Sequence, residues 1–80
     1  MGNVLNPTLY RATTGETVTR ANIDKLLDAR QIECAMNSGK WWSIRRNGAT
    51  RRWKRDTSRI YVPFKYGMYG YGNITEADFV

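Results

Sequence analysis

The chain has 80 residues, one cysteine, no histidine and a formal net charge of +6, which bounds it to a single small domain, residues 1–80, near the lower size at which one core suffices. A lone cysteine excludes an internal disulfide and a multi-cysteine zinc site. The lack of histidine excludes imidazole acid–base chemistry, the Ser-His-Asp and Cys-His nucleophilic systems and the commonest zinc ligand.

No apolar run reaches the ~18–20 residues that cross a bilayer, and MGNVLNPTLY is not a basic start followed by an apolar stretch. A cytoplasmic monomer without membrane contact is therefore expected.

Residues 1–16 mix Asn, Pro, Thr and Gly around one candidate strand, Thr8 to Thr13, which ends at the turn-forming pair Thr14-Gly15. A helix follows. Thr19 has the hydroxyl of an N-cap, Ile23, Leu26 and Leu27 recur at i, i+3 and i+4, and the pattern ends near Arg30. Asp24, Lys25 and Asp28 fall on the solvent side of this helix, which is short enough to need an apolar surface to dock on. From Ile32 the period becomes two: Ile32, Cys34 and Met36 alternate with Glu33, Ala35 and Asn37, the pattern of a half-buried strand with Cys34 inside.

Asn37-Ser38-Gly39 is a turn signal, and Asn47-Gly48 is a stronger one, favouring a two-residue hairpin. With that turn as the pivot, Trp42 opposes Trp53, Ser43 opposes Arg52, Ile44 opposes Arg51 and Arg45 opposes Thr50. Trp42, Ile44 and Trp53 then face the core, with Arg46 and Arg51 at the tip of the same face. Trp41, Ser43, Arg45, Thr50, Arg52 and Lys54 face outward. The last run, Arg59 to Lys65, contains Pro63, which cannot donate to a ladder and so predicts an edge strand. Its Ile60, Val62 and Phe64 sort inward, and Arg59, Tyr61 and Lys65 sort outward. Tyr66 to Gly72 reads as a Gly/Tyr loop and Asn73 to Phe79 as a short terminal piece. The expected fold is α+β: one helix on a small antiparallel sheet of three to four strands, in the order β-α-β-β-β.

Charge is the strongest functional signal. Lys40 to Lys65 holds nine Lys or Arg residues against one acid, Asp56, a local charge of 9 − 1 = +8, while the rest carries 4 − 6 = −2. Blunting a sheet edge needs two or three cations; this many form a surface that attracts a polyanion or an acidic protein patch. Arginine, which forks onto carboxylate or phosphate, outnumbers lysine there by six to three. The candidate binding residues are Trp41, Arg45, Arg46, Arg51, Arg52, Lys54, Arg55, Arg59, Tyr61 and Lys65. Trp41 and Tyr61 suit either a base-stacking platform or an interface anchor. Scattered acids and a Gly67, Gly70, Gly72 spacing without a strand-to-helix context leave no enzyme, metal or cofactor signature.

The stretch from Lys40 to Thr75 resembles a family of small proteins encoded by tailed phages and prophages, over a little under half the chain. The residues carrying the likeness are Trp42, Arg45-Arg46-Asn47-Gly48, Thr50, Trp53-Lys54, Val62-Pro63, Lys65-Tyr66-Gly67 and Gly72 through Thr75. Some members are similar to anti-CRISPR proteins, so the resemblance implies a non-enzymatic inhibitor that docks on a host CRISPR surveillance complex and blocks its binding to target DNA. The alternative is a small phage accessory protein that binds DNA or RNA. The Trp-x-x-Ile-Arg-x-Asn-Gly run from Trp41 to Gly48 is also similar to the three-stranded DNA-reading sheets of the AP2 type, but there the helix follows the sheet instead of preceding the hairpin.

Overall fold

The computed structural model describes residues 2–36, 38–46, 60–63 and 71–80. The order is β1 (Tyr10–Ala12), α1 (Ile23–Asp28), β2 (Ile32–Ala35), β3 (Trp41–Ser43), β4 (Arg45–Arg46), β5 (Ile60–Pro63), β6 (Tyr71–Asn73) and a closing 3₁₀ turn (Glu76–Asp78). The fold is α+β, with the strands divided between two three-stranded antiparallel sheets, β1-β2-β3 and β4-β5-β6.

The strand β1 is shorter than its pattern suggests because Asn6 claims the preceding backbone. Its side-chain oxygen accepts from Thr8 N–H at 3.0 Å, and its carbonyl accepts from Leu9 and Tyr10. The ladder with β2 places Tyr10 opposite Cys34 and Ala12 opposite Ile32. In β2 the expected alternation holds, with Ile32 and Cys34 buried and Glu33 and Ala35 partly exposed. Gly39 adopts a positive φ of 85° and donates to Met36 O, and Met36 N–H donates to Lys40 O, which turns the chain into β3. Asn37, the other half of that turn signal, lies outside the described residues.

The helix starts later than Thr19. Thr19 Oγ1 accepts from the N–H groups of Ala21 and Asn22, while Asn22 Oδ1 accepts from Thr19 N–H at 2.7 Å. The two side chains thus lock a turn that delivers Ile23 into α1, whose Ile23, Leu26 and Leu27 are buried as their spacing predicts. At the other end Gln31 N–H bonds Leu26 O and Arg30 N–H bonds Leu27 O, with Arg30 at φ 57°. This is a Schellman closure with arginine where glycine usually stands.

Ile44 joins the sheets. Its N–H donates to Ile32 O at 3.0 Å, extending the first ladder, and its side chain has no exposed surface; the next residue already belongs to the second sheet. In that sheet Arg45 opposes Tyr61 and Arg46 opposes Ile60. Pro63 does not mark an edge strand, because β5 is the central strand of its sheet. Pro63 is its last residue and faces β6 alone, since β4 pairs only with Ile60 and Tyr61. Tyr71 to Asn73 is β6, so the expected Gly/Tyr loop is a strand in its last part.

The terminal piece is also more than a tail. Ile74 and Phe79 are buried with Leu5 and Val18, Leu5 bridges Phe79, and Val4 and Val80 exchange hydrogen bonds. Gly2 lies against the Val80 backbone where a Cβ would overlap it. Arg20 clamps this closure: it stacks on Phe79 with its guanidinium carbon 4.1 Å from the ring centroid, donates to Gly2 O and forms a fork onto Glu76.

Two outcomes follow from these termini. Arg30→Gly removes the left-handed strain at the helix end and should raise stability by about 0.5–1 kcal/mol in urea unfolding, net of the entropy that glycine adds to the unfolded chain. A loss of stability would contradict the Schellman assignment. The hydrogen bonds from Arg20 hold the Glu76 carboxyl below its ordinary value, with desolvation opposing and the guanidinium charge reinforcing them. A folded-state value below the unfolded one contributes stability above the unfolded value, and that contribution is lost as pH falls through the folded one. The Tm gap between wild type and Glu76→Gln should therefore be present at neutral pH and close as pH falls below the ordinary glutamate range. A gap that does not change with pH would show that the pair contributes nothing.

Candidate functional site

Of the candidate binding residues, Trp41, Arg45, Arg46 and Tyr61 fall within the described structure. Arg51, Arg52, Lys54, Arg55, Arg59 and Lys65 lie outside the described residues. So do the Asn47-Gly48 turn, Trp53 and Phe64, and with them the expected pairing of 42–45 with 50–53.

Arg45 and Tyr61 are cross-strand neighbours and so share one face of the second sheet, as the alternation predicts. Arg45 is exposed and Tyr61 half-buried. Arg46 belongs to the opposite, inward row with Ile60. It is not part of the open basic surface: only 10% of its side chain is exposed. Its Nε donates to Asp28 Oδ1 at 3.2 Å and an amino nitrogen stands 3.8 Å from Asp24 Oδ1. A guanidinium in a core-facing row requires compensating charge. The carboxylates four residues apart on α1 supply it, so their role is to dock the helix on β4 and not merely to solvate an outer face.

The Trp pair also divides differently from expectation. Trp42 stands opposite Cys34 in the inner row of the first sheet, yet 46% of its surface is exposed. The Tyr10–Cys34 row is buried on its β1 side, and Trp42 on β3 projects past that row to its rim. Trp41 points to the outer face and is half-buried. Its cover comes from Arg11, whose guanidinium carbon lies 4.1 Å from the centroid of the Trp41 ring.

Arg11 reaches Trp41 from β1 across β2. Glu33, directly opposite Arg11, accepts from its Nε at 3.0 Å, and Ala35, opposite Trp41, is small enough to leave the diagonal open. Leu9 lies beside Ala35, its carbonyl accepting Ala35 N–H at 2.7 Å, and its side chain is exposed. The outer face thus carries Leu9, Arg11, Glu33, Ala35, Trp41 and Ser43. The alternation in Thr8 to Thr13 already puts Leu9 and Arg11 outward. Their meeting with Trp41 depends on a β1-β2-β3 order that no local pattern reveals.

Cys34 is a buried free thiol in the core, where it behaves as a small hydrophobe. Among the described residues, no group of three or more Cys, Asp or Glu side chains could hold a metal ion, and no helix is long and apolar enough to cross a membrane. Comparisons with protein-family models, curated proteins and solved structures find no match to this chain.

The neighbouring arginines of β4 should respond in opposite ways to truncation. Arg46→Ala leaves two carboxylates beside a core-facing row and should cost about 1–3 kcal/mol in urea unfolding. Arg45→Ala should stay within about 0.5 kcal/mol. Equal costs would refute the division of roles between them.

Proposed function

We propose that this chain acts by binding and not by catalysis, as a phage-encoded anti-defence inhibitor of the anti-CRISPR kind. Its basic, aromatic surface docks on an acidic patch of a host surveillance complex in the host cytoplasm and blocks binding of target DNA. The observation that carries the reading is the gathering of nine cations against one acid between Lys40 and Lys65, of which Arg46 is turned inward onto α1. Lys40, Trp42 and Arg45 are each exposed along this segment, and arginine and aromatic side chains are those that anchor protein interfaces. The choice of a defence complex as target comes from the phage-family resemblance of residues 40–75.

The decisive experiment is capture from a defence-proficient host lysate, with and without nuclease. A surveillance complex should be retained after nuclease treatment. Arg45→Glu with Arg52→Glu should abolish capture without unfolding the chain, while Lys25→Glu on the helix should change nothing. A catch that vanishes with nuclease would make nucleic acid the ligand; binding should then weaken with log salt by about 0.9 log unit per duplex phosphate contacted.

A further inference from the structure

We infer that Arg11, braced on Trp41 and Glu33, is a carboxylate-recognition residue and that the outer face of the first sheet docks an acidic side chain of a partner protein beside an apolar one. The inference rests on the reading that the chain docks on an acidic protein surface, and it extends that surface beyond the basic segment to β1.

The geometry is that of a guanidinium held ready for a ligand. Stacking on the Trp41 ring at 4.1 Å sets its plane, and the 3.0 Å bond from Nε to Glu33 sets its rotation. Among the described residues that bond is the guanidinium's only hydrogen bond. Half of the Arg11 side chain, 51%, remains exposed. No described residue bonds the two terminal amino groups, which can form the fork that fits a carboxylate end-on. Rotamer freedom normally lost when an arginine binds has already been surrendered in the free protein.

The surroundings favour a protein carboxylate over a nucleic acid. Glu33 places a negative charge inside the cluster, where it would repel a continuous phosphate chain but leaves Arg11 able to bridge two separate carboxylates. The guanidinium occupies one face of the Trp41 ring, which denies that face to a stacking base. Leu9 and Ala35 offer apolar contact without a hydrogen-bond donor for phosphate. Arg11 and Glu33 balance each other on this face, and the positive surplus comes from the adjoining segment that begins at exposed Lys40. An acidic residue flanked by aliphatic ones matches that set, and the patch runs directly into the +8 segment through β3.

The test is NMR titration of the isotope-labelled full chain at about 0.15 M salt. The probes are a blocked Leu-Glu-Leu-Glu-Leu peptide, its Leu-Gln-Leu-Gln-Leu counterpart and a thymidine decanucleotide. The Glu peptide should shift the Arg11 Nε–H and Trp41 indole N–H signals, and the Gln peptide should bind about tenfold more weakly. Arg11→Gln should lose about tenfold in affinity for the Glu peptide. Arg11→Lys, which keeps the charge and stem should Gln perturb folding, should lose a similar amount because it lacks the fork.

Equal response to the Glu and Gln peptides, or undiminished binding by Arg11→Gln and Arg11→Lys, overturns the inference. So does a thymidine decanucleotide that moves the same signals more strongly than the Glu peptide. Failure here and failure of the inhibitor reading are separable. Capture that is abolished by Arg45→Glu with Arg52→Glu, beside an Arg11 that ignores the Glu peptide, removes only the Arg11 site. A normal Arg11 response without capture of any surveillance complex removes only the inhibitor reading.

Discussion

The structure turns on Ile44, the single residue between two sheets. It must complete the first ladder through its bond to Ile32 and at the same time bury its side chain completely. Side chains alternate along extended backbone, so this inward residue determines the rows on either side. Ser43 and Arg45 turn outward, and Arg46 turns inward beside Ile60. Everything particular about Arg46 follows from that parity. A guanidinium sent toward the core has to meet carboxylates there, and Asp24 and Asp28 bring the helix onto β4 by meeting it. Helix placement and strand register are thus one constraint.

The acids outside the basic segment are largely committed to internal pairs. Glu33 holds Arg11, Glu76 holds Arg20, and Asp24 with Asp28 holds Arg46. Arg11 and Arg20 also lean on aromatic rings. Within the basic segment, Arg46 serves the fold, whereas Arg45 is presented to solvent. Counting cations along a sequence therefore overstates an electrostatic surface by the number of those that the core has recruited.

What could be read from the sequence was the part governed by short periods. The spacing of Ile23, Leu26 and Leu27 belongs to a helix, and the alternation of Ile32 with Cys34 belongs to a strand, whatever packs on them. The inward sorting of Ile44, Ile60 and Val62 was legible for the same reason. Trp42 was misread because alternation gives a row, not how far along that row the core extends. Pro63 was misread because a lost donor is compatible with a central strand at the end where one neighbour has stopped. Contacts that join distant segments had no local trace: Arg46 with Asp28, Arg11 with Trp41, and Leu5 with Phe79. The part of the basic surface carried by Arg51, Arg52, Lys54, Arg55, Arg59 and Lys65 lies outside the described residues.

The bridge between Leu5 and Phe79 has a kinetic meaning. It joins segments at opposite ends of the described chain, so its formation closes a loop of almost the full chain and draws little help from local structure. The β2-β3 hairpin and the helix that precedes it need only nearby partners, so they can assemble while the ends are still apart. On this topology the seam between the ends is expected to form last and open first. Arg20 sits across that seam, holding Gly2, Glu76 and Phe79 together. If the seam forms late, Arg20 acts on the lifetime of the closed molecule, since contacts made after the folding barrier slow unfolding and leave the folding rate almost unchanged.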